Sequence, residues 1–218
     1  MSGFLNELKV QRWDDHRYYH HSKVNQSLHL VSATSFICAY AVAFSDPAMA
    51  ALIGWLVAMT TRQVGHLFFE PRGYDQVNQA TDEYKEEIKV GYNIKRKLVL
   101  LALWAASPLL LVADPTLLGI FVPHAGPAEF ITHVGKIWLA VGLGGIAFRS
   151  VQLFVLKDVR TGLVWATKIA TDPFHDIKLY HRAPLELLQR QSAVHVLDEE
   201  IVEASSDALV DRELPARS

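Results

Sequence analysis

Cysteine is almost missing from this chain. The single Cys38 in 218 residues excludes a disulfide framework and any thiolate-built metal site. Net charge is missing too: 21 Lys and Arg face 23 Asp and Glu, leaving −2 with neutral histidines, and nothing in that balance points to a nucleic-acid partner. The first residues, MSGFLNELKVQRWDDHRYYHH, lack the apolar core of a cleaved signal peptide, so the first apolar block is expected to stay in the mature protein. Apolar runs, in contrast, are plentiful. Half of the residues are hydrophobic and 20% are charged, and the two populations are segregated along the chain, as in a polytopic membrane protein and unlike a soluble globule.

Four apolar blocks define an all-α fold with four transmembrane helices. The first runs over residues 28–45, and its 18 residues sit at the short end of the roughly 17–25 that cross a bilayer. Asp46-Pro47 makes a tight turn, proline suiting the first turn of the next helix. The second block is apolar from Ala48 to Met59 and amphipathic from there to Glu70, ending at Pro71-Arg72-Gly73. The third spans residues 98–113 with a kink at Ser107-Pro108. The fourth spans residues 137–156, where Gly142, Gly144 and Gly145 favour close helix contact. Residues 1–27 form an N-terminal interfacial segment, amphipathic through Phe4, Leu5 and Leu8, with Tyr18 and Tyr19 at headgroup level and Asn25 or Ser27 capping the first span. Residues 70–97 read as a solvated helical loop without chemistry, and 114–133 as a connection. Residues 157–218 form a polar C-terminal region with an apolar stripe at Trp165, Ile169 and Phe174, acidic and disordered from Leu197.

Positive charge sets the orientation. Four Lys or Arg precede the first span, six lie in the 70–97 loop and eight follow residue 156, while the two remaining connections carry none. The positive-inside rule places both termini and the central loop in the cytoplasm, in a bacterial inner membrane or the endoplasmic reticulum.

The densest chemistry lies at His16–His29. His16, His20, His21 and His29 fall within fourteen residues, and imidazole is the commonest metal ligand. His29 lies 16 residues before Ser45 and His66 lies 18 after Ala48, so at 1.5 Å per residue the two legs of the hairpin differ by only about 3 Å. His29 and His66 therefore share a depth near the cytoplasmic face, with His20 and His21 just outside it. Arg62 and Arg149 sit deeper, where an arginine requires a snorkelling route or a partner. The natural anionic partner inside a bilayer is a fatty-acid carboxylate.

The run Tyr19-His20-x4-Asn25-x3-His29, followed by Val64-Gly65-His66-x2-Phe69-Glu70, resembles the membrane 2-hydroxy fatty acid dioxygenases of fatty-acid α-oxidation. The resemblance covers residues 15–72. The chain has Arg62 where that family commonly has Gln, and from Lys157 onward no counterpart matches. The resemblance implies Fe(2+), O2 and a 2-hydroxy fatty acid shortened by one carbon with loss of its carboxyl carbon, in contact with membrane lipids; the oligomeric state is left open. It implies His20, His29 and His66 as metal ligands. Asn25 and Glu70 would orient those ligands, or Glu70 would complete the set. Burial nominates Arg62, and with it Arg149, for the substrate carboxylate. His16, His21, His175 and His181 stand in reserve as ligands.

Three other readings compete. A di-iron lipid hydroxylase or desaturase would use His16-x3-His20-His21 as one histidine box, but the further boxes are missing. A b-type cytochrome would use His29 and His66 as axial ligands. A non-enzymatic membrane scaffold or lipid-binding protein would use the histidines as helix caps and the arginines to hold phospholipid.

Overall fold

A computed structural model describes residues 3–70, 73–90 and 94–189, which are helical with no strand beyond an isolated bridge between Asp75 and Ala80. In order come α1 (Phe4–Tyr19), α2 (Lys23–Val42) and α3 (Pro47–Ile53), the last running through a π-helical turn (Gly54–Met59) into α4 (Thr60–Phe68). Then follow α5 (Asp82–Ile88), α6 (Ile94–Ala106), α7 (Pro108–Ala113), α8 (Pro127–Leu156) and α9 (Val159–Tyr180).

The α2–α3 turn forms where Asp46-Pro47 requires it. The Asp46 carboxylate accepts from the Met49 amide at 2.9 Å and Pro47 occupies the first turn, giving one free helical N–H a partner. The start of α2 differs from expectation. Ser22 holds the N-cap position, while Asn25 and Gln26 reach back to α1, their amide groups donating to the carbonyls of Tyr19 (2.9 Å) and His20 (2.7 Å). These two bonds fix the corner on which His20 sits.

The kink at Ser107-Pro108 separates α6 from α7. Proline has no N–H for the Trp104 carbonyl, and the Ser107 hydroxyl donates to that oxygen instead, at 2.7 Å. Around this point Trp55 stacks on Trp104 (ring centroids 5.1 Å apart) and Trp138 donates its indole N–H to Ser107 at 3.1 Å. Ala51, Leu52, Leu111, Val134 and Ile137 complete the apolar core. The close helix crossing falls at Gly135, where a β-carbon would lie 2.5 Å from the Ala48 carbonyl oxygen. Gly144 and Gly145 have no such neighbour, and Gly142 makes only ordinary contact with Trp55.

Two helical stretches, Arg96–Ala113 and Pro127–Leu156, are long and apolar enough to cross a membrane, and only 11% and 17% of their apolar windows are buried. The core helix of a soluble domain hides such residues; here Leu103, Leu109, Leu143, Phe148 and Val155 face outward. The hairpin from α2 to α4 is not among these stretches: it carries Asn25, Gln26, His29 and the Thr60–Gln63 run, and a π turn interrupts its second leg.

Two segments depart from their expected roles. The loop at 73–90 is not a plain solvated helix: only α5 is helical, Lys85 is buried, and Ala80 and Ile88 pack on Tyr18 and Tyr19. After residue 156 the chain forms the 22-residue α9, packed against α1, α2 and α8. It buries Val164 and Trp165 near its start but also the polar Lys168, Asp172, Asp176 and Tyr180, while Leu163, Phe174 and Leu179 are exposed. The acidic stretch from Leu197 lies outside the described residues.

Candidate metal centre

His20 comes from the α1–α2 corner, His29 from α2 and His66 from α4, and one ring nitrogen from each lies within 4.8 Å of the others. Ring centroids are 4.0 Å apart for His20 and His29, 5.0 Å for His29 and His66, and 5.3 Å for His20 and His66. The sequence alone set the depth of two of these residues; the bonds from Asn25 and Gln26 bring in the third. Close approach of α4 to α2 depends on Gly65, whose position faces the Asn25 side chain and the His29 ring.

His29 is fully buried and His20 is 3% exposed. The His20 Nε2 and both ring nitrogens of His29 have no hydrogen-bond partner. Buried polar atoms ordinarily find partners, and unpartnered nitrogens on two imidazoles converging with a third have the chemistry of a cation site, so the donor set fits a divalent metal ion. Burial first, and the neighbouring His29 next, hold His20 well below the usual imidazole range, leaving it neutral and able to donate a lone pair to a metal.

Each histidine has a group behind it. His66 Nδ1 is 2.7 Å from Glu70 Oε2, and the other Glu70 oxygen pairs with Lys89 at 3.3 Å. His20 Nδ1 is 2.9 Å from the Tyr180 hydroxyl, and His29 Nδ1 is 3.7 Å from Asp176 Oδ2. Carboxylate or hydroxyl partners of this kind set ring orientation and tautomer in metal sites. Lys89 also lies over the Tyr19 ring at 4.0 Å, so the loop first read as inert contributes to the site's surroundings.

The arginines meet protein partners. Arg62 is 3.1 Å from Asp176 and 4.0 Å from Asp172, so the carboxylates that its burial requires come from α9. Arg149 donates to Gln152 at 2.5 Å and to the Val90 carbonyl at 2.6 Å, tying α8 to the 73–90 loop. Around Arg62 lies a charge cluster in which Arg12 pairs with Asp172 (3.1 Å) and Lys168 with both Asp172 (2.6 Å) and Asp15. Burial opposes the charge on Lys168, yet Asp15 and Asp172 raise its pKa above the usual lysine range. The cations Arg12, Arg62 and Lys168 thus balance Asp15, Asp172 and Asp176.

None of the reserve histidines joins the triad. His16 Nδ1 is 3.1 Å from the Tyr180 hydroxyl. His21 bonds the Arg17 carbonyl and faces Asp75 at 3.5 Å. His175 lines a small cleft that opens beside His20 between Arg12, Arg62 and Tyr180, and the exposed His181 bonds the Lys178 carbonyl at 3.0 Å. The residues that sequence reading missed, Asp176 and Tyr180 above all, do carry a signal: Lys168, Asp172, Asp176 and Tyr180 recur every fourth position, one face of a helix.

No family model, curated protein or solved structure matches the chain.

Proposed function

We propose that this chain is an integral membrane, non-haem Fe(2+) dioxygenase that shortens 2-hydroxy fatty acids by one carbon. One observation carries the reading: the buried imidazoles of His20 and His29 and the half-buried one of His66 converge within 4.8 Å, and the His20 Nε2 and both His29 nitrogens lack hydrogen-bond partners. Three neutral ligands leave the ion's charge uncancelled and coordination positions open, which suits an anionic chelate such as a 2-hydroxy carboxylate together with O2. When bound, the iron supplies Lewis acidity and redox chemistry with oxygen.

The chain's own residues do the remainder. His20, His29 and His66 hold the ion, Glu70 and Tyr180 orient the rings of His66 and His20, and Asn25 braces the corner between α1 and α2. The two apolar helices support a membrane setting. We extend that setting to four spans by counting α2 and the α3–α4 helix, with both termini and the metal centre on the cytoplasmic side. The acyl tail then lies along the outward apolar faces.

The rival readings fit less well. Rings 4.0 to 5.3 Å apart leave no slot for a porphyrin plane. A di-iron centre needs a second ligand group, and among the described residues one such cluster is found. The test is to incubate the purified protein with Fe(2+), O2 and a long-chain 2-hydroxy fatty acid. The reading expects oxygen uptake matched by a product one carbon shorter in the mass spectrum. Iron-loaded protein that leaves the acid unchanged contradicts it.

A further inference from the structure

Helix α9 begins about ninety residues after His66, the nearest histidine of the triad, yet it buries a polar group on each of four successive turns. Lys168, Asp172, Asp176 and Tyr180 are all under 7% exposed. Burying charge costs several kcal/mol per ion unless each is paired, so a helix with this face needs a specific reason to turn it inward. Lys168 and Asp172 meet Asp15 and Arg12 of α1. Asp176 and Tyr180 meet the triad.

We propose that Asp176 and Tyr180 are positioning residues that fix the tautomers and ring orientations of His29 and His20, making α9 an integral wall of the metal centre; this rests on the reading of the triad as a metal site. The hydrogen-bond chain has one consistent direction. For His20 to present a bare Nε2, its Nδ1 carries the proton and donates to the Tyr180 oxygen, 2.9 Å away. The Tyr180 hydroxyl then gives its own proton to His16 Nδ1 at 3.1 Å, so His16 anchors the far end of the chain instead of serving as a ligand. At His29, the Asp176 Oδ2 has no hydrogen bond of its own and lies 3.7 Å from Nδ1. Arg62 lies 3.1 Å from the same oxygen and holds the Asp176 side chain beside the ring. His66 has the matching arrangement in Glu70, at 2.7 Å. Each of the three imidazoles therefore has one nitrogen facing the protein and one left for the ion.

The test is a Co(2+) titration of the full-length protein in detergent, read by the visible d–d bands of the bound ion. Tyr180→Phe and Asp176→Asn keep size and shape, and each is expected to raise the Co(2+) dissociation constant by about 10–100-fold and shift the bands; Asp176→Glu restores most of the affinity. Wild-type affinity and spectrum in both variants overturn the proposal and leave the metal reading intact. A wild type that binds no Co(2+) removes the metal reading and the proposal together. A second measurement needs no variant: ¹⁵N shifts of the wild-type histidines place the His20 proton on Nδ1 if the proposal holds, and on Nε2 if it does not.

Discussion

Gly65 faces Asn25 so closely that a β-carbon on it would lie 2.2 Å from the Asn25 side-chain oxygen and 3.4 Å from the His29 ring. The pair marks where α4 meets α2, one residue before a candidate ligand. In a free helix Gly→Ala is worth roughly 0.5–1 kcal/mol in favour of alanine. Here the methyl forces a shift of Asn25 or of α4, and overpacking of that kind costs about 1–3 kcal/mol. Gly65→Ala is therefore expected to lower the melting temperature and weaken metal binding together, measured by thermal unfolding in detergent and by metal content.

Glu70 is the only carboxylate given a hydrogen bond to a triad histidine among the described residues. Glu70→Gln keeps the shape but removes the charge that His66 and Lys89 share. Metal affinity is expected to fall about 10–100-fold with the helical circular dichroism unchanged, read by competition with a chromophoric chelator.

The α1–α9 charge cluster predicts both a mutant effect and a pH window. Lys168→Met removes the cation that Asp15 and Asp172 share; Asp172 keeps Arg12 and the Asp15 side chain is 39% exposed, so the loss is expected to fall below the roughly 3–5 kcal/mol of a fully uncompensated buried charge. Burial works against the ionised Asp15 carboxyl, but Lys168 outweighs it and Asp15 lies below the usual carboxylate range, while Lys168 is raised. A lowered acid contributes stability that is present above its unfolded value of about 3.9 and lost as pH falls through the folded one. A raised lysine contributes stability that is present below about 10.4 and lost as pH rises through the folded value. Thermal scans are expected to show a plateau between these limits, and in Lys168→Met a lower plateau whose acid and alkaline limbs are both flattened, since both depend on that ammonium.

Cys38 tests the membrane setting without mutagenesis. It is the single cysteine and lies exposed on the surface of α2, so an aqueous protein would react with any maleimide. Within a span, lipid covers it. A membrane-impermeant maleimide is expected to leave Cys38 unlabelled in intact membranes and to label it once the protein is unfolded in detergent; rapid labelling in intact membranes contradicts a span there.

The parts of the molecule that are legible in the sequence are those governed by local chemistry. Asp46-Pro47 caps its turn, Ser107-Pro108 breaks its helix, and equal chain lengths from the Asp46 turn give His29 and His66 a common depth. The parts that were not legible depend on tertiary contact. The π turn over Gly54–Met59 has no composition of its own. Gly135 is the tight crossing because Ala48 happens to lie opposite it. The polar face of α9 was masked by the Trp165, Ile169 and Phe174 stripe: Trp165 is buried, as an apolar stripe leads one to expect, but Phe174 points outward and the next turns bury polar groups instead. Arg62 is half-buried and has carboxylate partners. Those partners belong to α9, which no local rule brings beside α4.

The central claim is that the imidazoles of His20, His29 and the more distant His66 hold one iron. The direct test is elemental analysis of protein purified without chelators, wild type beside His20→Ala, His29→Ala and His66→Ala. The account predicts iron near one equivalent per chain in the wild type and its loss in each variant. Equal metal in all four proteins, or a wild type that stays metal-free after exposure to Fe(2+), contradicts it.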